Sequence, residues 1–123
     1  MQKVSTEKAP KAIGPYSQAI VSGSLVFTSG QIPLSLDGVI VGDNIATQAE
    51  QALQNLEQVL LKAGSSLDNI VKTTCFLADM ADFALFNEVY AKYIKNAPAR
   101  SCVAVKTLPK NVLCEIEAIA ELN

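Results

Sequence analysis

The feature that most constrains this fold is a helical period from about Asn44 to Ala63, set in a chain otherwise made of short β-prone runs. Apolar residues fall at Ile45, Ala49, Ala52, Leu53, Leu56, Val59, Leu60 and Ala63, which is one face of a 3.6-residue repeat. Asp43 or Asn44 can cap its start, Lys62 suits its last turn, and Gly64 can take the position after its end. A helix with one apolar face must bury that face, and the segments around it are sheet material. Ala19–Val21 and Leu25–Thr28 flank Ser22-Gly23-Ser24, which reads as a hairpin. Gly30, Pro33 and Asp37-Gly38 mark loops. Ile70–Leu77 is a β-branched run and reads as a strand.

A second helix is predicted from about Ala81 to Ile94. Phe83, Phe86, Val89, Tyr90 and Tyr93 line one face, Asp79 and Asp82 stand at its start, and Pro98 lies beyond its end. Ser101–Lys106 and Val112–Glu121 read as the last two strands, joined by Thr107–Asn111. In the last one, Cys114, Ile116, Ala118 and Ala120 alternate with Glu115, Glu117, Ile119 and Glu121, so the apolar row should meet the helices. With a short strand around Lys3–Ser5, the order predicts an α+β two-layer sandwich: a mixed β-sheet with two helices on one face. Residues 1–123 show no repeat or linker and are expected to form one domain. The sheet's other face carries several polar groups and is expected to be partly covered by another subunit.

Composition narrows the chemistry. There is no histidine, and Arg100 is the only arginine among ten basic residues. Histidine-based triads, dyads and metal sites are therefore excluded, and acid–base work falls to carboxylates, lysine, tyrosine, cysteine, backbone or water. A net charge of −2, a pI of about 5.0 and scattered lysines disfavour nucleic acid as a partner. No apolar run exceeds four residues, and the first eight residues have no apolar stretch, so neither a membrane span nor a signal peptide is expected. Cys75, Cys102 and Cys114 form an odd set without Cys-x-x-Cys spacing, which suits a reducing, cytoplasmic location.

Paired as an antiparallel hairpin, the last two strands would set Cys102 opposite Glu115 or Glu117, and Arg100 opposite Glu117 or Ile119. Arg100, Cys102, Glu115 and Glu117 would then converge on the face away from the helices. A lone guanidinium there suggests a site for a small carboxylate ligand, with a plain ion pair to Glu117 as the alternative.

Five segments carry a resemblance: Ile13-Gly14-Pro15-Tyr16-Ser17-Gln18, Thr28-Ser29-Gly30-Gln31-Ile32-Pro33, Val71-Lys72-Thr73-Thr74, Pro98-Ala99-Arg100-Ser101-Cys102-Val103 and Glu115-Ile116-Glu117-Ala118. In order and spacing the chain resembles the reactive intermediate deaminase A family (RidA/YjgF). The resemblance implies a chorismate-mutase-like fold, a homotrimer with sites between subunits, and no metal or cofactor. It implies hydrolysis of 2-imino acids and their enamines to 2-keto acids and ammonia. Arg100 matches the arginine that holds the substrate carboxylate, and Glu115 the glutamate that positions the attacking water, with Glu117 as its local rival. Cys102 matches a position whose backbone meets substrate and water. Tyr16, Ser29 and Gly30 resemble pocket lining, while Phe83 and Asn87 resemble residues contributed across the subunit boundary. Two positions depart from the pattern: Ala97 stands where an aromatic is common, and Cys114 where an aliphatic is usual. A carboxylate-binding regulatory trimer and an RNA-acting translation inhibitor are the alternative readings.

Overall fold

The computed structural model describes residues 1–123. Its strands are β1 (Gln2–Val4), β2 (Ala19–Ser22), β3 (Leu25–Thr28), β4 (Ile70–Leu77), β5 (Ala99–Ala104) and β6 (Cys114–Glu121). Its helices are α1 (Ile45–Ala63) and α2 (Phe83–Tyr93), the latter preceded by a single 3-10 turn at Met80–Asp82. All six strands form one sheet in the order β1-β2-β3-β6-β4-β5. Only β4 and β5 run parallel; every other neighbouring pair is antiparallel.

Local chemistry explains the elements. Asn44 caps α1 by accepting from the Thr47 N–H at 2.9 Å, and Gly64 ends it in the left-handed conformation (φ 89°). Seven of the eight apolar stripe residues of α1 are buried, from Ile45 to Leu60; only Ala63, at the end, is partly exposed. From α2, Phe86, Val89 and Tyr90 join the same core, together with Cys114, Ile116, Ala118 and Ala120 of β6. The predicted two-layer α+β sandwich and the alternation of β6 therefore stand. Strand ends shift by one or two residues: β1 spans Gln2–Val4, β2 runs on to Ser22, β5 spans Ala99–Ala104, and β6 begins at Cys114.

The expected hairpin between the last two strands does not form. β6 lies between β3 and β4, and β5 sits at the sheet edge, parallel to β4. Burial decides this placement. All four helix-facing residues of β6 are apolar and buried, so it can occupy the middle of the sheet. The corresponding residues of β5 include Arg100 and half-buried Cys102, and a guanidinium is far cheaper to keep at an edge than in a core. The chain also reaches β5 from β4 through α2, and a helical crossover returns the chain parallel to the strand it left.

Candidate functional site

Register fixes which side chains share a face. Thr73 of β4 is paired with Arg100 of β5 and Ala118 of β6, and Cys75 with Cys102 and Ile116. Arg100 and Cys102 therefore stand on the helix side of the sheet. Phe76 is paired with Glu115, and Thr74 with Glu117, so both glutamates stand on the opposite, open face. This corrects the expectation that the four residues converge within one chain. An Arg100–Glu117 ion pair within one chain is excluded by the same register.

Arg100 is held by α2. Its Nη1 donates to Asn87 Oδ1 at 2.7 Å, and the guanidinium carbon lies 5.5 Å from the Phe83 ring centroid and 4.9 Å from that of Tyr90. Phe83, Asn87 and Tyr90 are offset by four and three residues, so one stripe of the helix presents all three. Phe83 and Asn87 thus belong to Arg100's own chain rather than standing across a boundary from it. None of these partners is a carboxylate, so the cation keeps its charge uncompensated and most of its N–H groups free. Tyr90, read from its period as a core residue, is also part of this platform. Ala97, which borders the same depression beside Pro98, adopts a left-handed backbone (φ 49°).

Cys102 is half-buried, and burial raises its thiol above the ordinary range despite nearby Arg100. Cys75 and Cys114 are pushed up to about 12, each chiefly by burial. Thiolate chemistry is thereby disfavoured at all three. The backbone of Cys102 is the more useful part. The Val105 N–H bonds to the Leu77 carbonyl at 2.9 Å, so alternate residues of β5 turn their backbone groups to β4. Those of Arg100, Cys102 and Ala104 consequently face the open sheet edge.

Glu115 is half-buried on the other face. Burial, and then the charge of Glu117, raise its carboxyl above the usual carboxylate range. It packs directly on Gly30: a Cβ at Gly30 would lie 2.7 Å from the Glu115 Cδ and 2.9 Å from its Cγ. Gly30 is thus required by close approach, and its N–H makes no backbone hydrogen bond within the chain. Reciprocal bonds between Gln31 and Ile116 (2.8 and 3.0 Å) hold the Gly30 segment beside β6. The Ser29 hydroxyl donates to the Ser17 carbonyl at 2.5 Å, which leaves only its lone pairs free and ties the Tyr16 loop to the end of β3. Tyr16 is exposed, and with Gly30, Ile13 and Pro109 it lines a cavity of about 270 Å³.

The candidate residues thus fall into two groups on opposite faces of the sheet, an arginine half and a glutamate half. One comprises Arg100, Asn87, Phe83 and the Cys102 backbone; the other comprises Glu115, Gly30, Ser29 and Tyr16. No group of three or more cysteine or carboxylate side chains is placed to hold a metal ion.

Fold and site define a small α+β protein built around an arginine-and-glutamate pair divided between the two faces of its sheet. A family model described as Endoribonuclease L-PSP matches residues 6–122. The chain is 52% identical over 119 residues to the RutC family protein PH0854 of Pyrococcus horikoshii, covering 95% of this chain and 94% of that one. It is 50% identical over 121 residues to Reactive Intermediate Deaminase A, chloroplastic, of Arabidopsis thaliana, covering 97% of this chain and 65% of the other. The crystal structure of E. coli TdcF with bound serine matches with a TM-score of 0.93 and 44% identity, covering 100% of both chains. The chain belongs to the Rid/L-PSP family. No helix of it is long and apolar enough to cross a membrane.

Proposed function

We propose that the chain hydrolyses small 2-imino acids, the tautomers of enamines such as 2-aminoacrylate, to 2-keto acids and ammonia, in clefts shared between the subunits of a homotrimer. The observation that carries this reading is Arg100: a lone guanidinium, held by an amide and two rings, with no carboxylate of its own chain to neutralise it. Such a group is complementary to a ligand carboxylate. The name of the Arabidopsis relative and the bound serine of the E. coli structure support the same direction.

Chemistry follows from the second half-site. With the substrate carboxylate on Arg100, water held by Glu115 and the Cys102 carbonyl attacks the C=N carbon of the protonated imine. Glu115 accepts a proton from the water and passes it to the nitrogen of the tetrahedral intermediate. The C–N bond then breaks as the carbonyl forms from the hydroxyl, whose proton passes to Glu115 and on to the departing ammonia, so that ammonium and the keto acid are released. A carboxyl with a raised pKa suits this shuttle near neutral pH. The imine also hydrolyses in water, so positioning and one proton relay are a sufficient demand.

Because Arg100 and Glu115 point from opposite faces, a complete site needs a second copy of the chain. The open face supports this, since Phe27 (42%) and Val103 (46%) are exposed there beside half-buried Phe76 and Ile119. The direct assay generates 2-aminoacrylate with a dehydratase and follows imine loss. Acceleration over buffer that Arg100→Ala abolishes is expected; wild-type rates equal to buffer would contradict the reading.

One observation favours a carboxylate-binding regulator as the second reading: the arginine half-site is complete in one chain and could bind without reacting. In that case Glu115→Ala would bind 2-oxobutanoate as wild type does, and no turnover would be seen. RNA cleavage is less well supported, given the acidic pI, the single arginine and the absence of histidine.

A further inference from the structure

The arginine platform extends one layer deeper than the groups that touch Arg100. Thr73 is fully buried, in a helix-facing row whose other members are Ile70, Cys75 and Leu77. A hydroxyl there is costly unless paired, and valine would fill the same volume without that cost. Its strong partner is the Tyr90 hydroxyl, which shares a 2.8 Å hydrogen bond with it in the core. The Tyr90 hydroxyl has no other hydrogen bond in the chain. Burial keeps this phenol protonated. A Val–Phe pair of similar shape would pack as well, so packing alone does not account for these two polar atoms.

Register supplies their geometry. Thr73 is the direct cross-strand neighbour of Arg100, and the Tyr90 ring lies 4.9 Å from the guanidinium carbon. The hydrogen bond therefore ties the ring to the same strand position from which Arg100 springs. A ring free to tilt would change the direction in which the stacked guanidinium presents its remaining N–H groups. Asn87 fixes one nitrogen of the fork, and the tethered ring fixes its plane.

We infer that Thr73 and Tyr90 act as a pair of positioning residues, holding the Arg100 guanidinium in the plane that grips a ligand carboxylate. The inference rests on the proposed carboxylate-binding role of Arg100. It adds two residues that act through Arg100 rather than by gripping the carboxylate themselves.

The test is calorimetric titration with 2-oxobutanoate, alongside imine kinetics and thermal melting, on wild type and five variants. Tyr90→Leu removes the platform and should weaken 2-oxobutanoate binding about tenfold. Tyr90→Phe and Thr73→Val keep the volume but cut the tether, and each should weaken it about threefold. Thr73→Val/Tyr90→Phe should be no weaker than either single variant, because both remove the same bond. KM should rise in step with the dissociation constant while kcat stays within about twofold, the pattern of lost ground-state binding. A merely structural role would instead lower the melting temperature and leave the dissociation constant unchanged. That result, or additive losses in the double variant, would overturn the inference. Thr73→Val and the double variant decide the matter even if Tyr90→Leu fails to fold. Arg100→Ala serves as the reference. If wild type fails to bind 2-oxobutanoate at all, the carboxylate site and this inference fall together; if wild type binds and only Arg100→Ala loses binding, this inference alone falls.

Discussion

Gly30 and Glu115 meet so closely that neither can be understood alone. Gly30 has a backbone that alanine could adopt, but an added methyl would occupy the space of the Glu115 carboxyl. The obstructing atoms are the end of a flexible side chain, so the chain can yield by moving the carboxylate. Gly30→Ala should therefore fold, with a stability change within about 1 kcal/mol by urea unfolding. It should lose about a hundredfold in imine hydrolysis, since a displacement of about 1 Å at a reacting group can cost that much. Near-normal turnover would show that the Glu115 position is not critical. Glu115 also makes a prediction in pH. Burial and Glu117 raise its folded-state value, so over an interval above the ordinary carboxylate range the folded chain keeps a proton that the unfolded chain has lost. The stability this provides is fully present at lower pH and is lost as pH rises through the raised value. Glu115→Gln should then melt higher than wild type at pH 7, with the difference vanishing towards about pH 4. A lower melting temperature at pH 7 would contradict the burial argument. The variant should be inactive, as function and stability pull in opposite directions here.

At the level of strands and helices, the site depends on how loops are fastened to the layer beneath them. Asn55 is buried on α1, and its Nδ2 donates to the carbonyls of Ile32 and Leu34, each at 3.0 Å, just beyond the Gly30 segment. The Ile32 carbonyl also accepts from the Leu34 N–H at 2.8 Å, so Asn55→Ala would leave the Leu34 carbonyl without a partner and should cost about 1–3 kcal/mol in urea unfolding. A neutral result would show that water replaces the amide. The helix α1, the β2–β3 hairpin and the alternation of β6 were legible because each is encoded by periodicity or a turn within a few residues. The neighbours of β5 were not. Sequence adjacency favoured a β5–β6 hairpin, whereas the crossover through α2 and the burial of β6 placed β4 between them. That one topological difference moved Arg100 and Cys102 to the opposite face from Glu115. The pairing of Arg100 with Asn87 and Phe83 was half legible, since family resemblance picked out the residues but not that they share a chain. Asn55, Thr73 and the tether of Tyr90 left no local signal, because their partners lie 17 or more residues away.

The proposed homotrimer rests on the two half-sites. Each chain carries an arginine half on its helix side and a glutamate half on its open face, so identical copies arranged head to tail would complete one another. A closed ring of three makes three such sites and leaves none unfilled. Light scattering should give three times the chain mass of 13.1 kDa; an active monomer would contradict the shared cleft. The most direct measurement uses two inactive variants, Arg100→Ala and Glu115→Ala. Each is purified alone, and the two are then mixed in equal amounts under conditions where subunits exchange. A shared site needs arginine from one copy and glutamate from its neighbour, so random mixing should restore about a quarter of wild-type imine hydrolysis. No recovery in a mixture proven to contain both chains would mean that both groups act within one chain, and would refute the divided site.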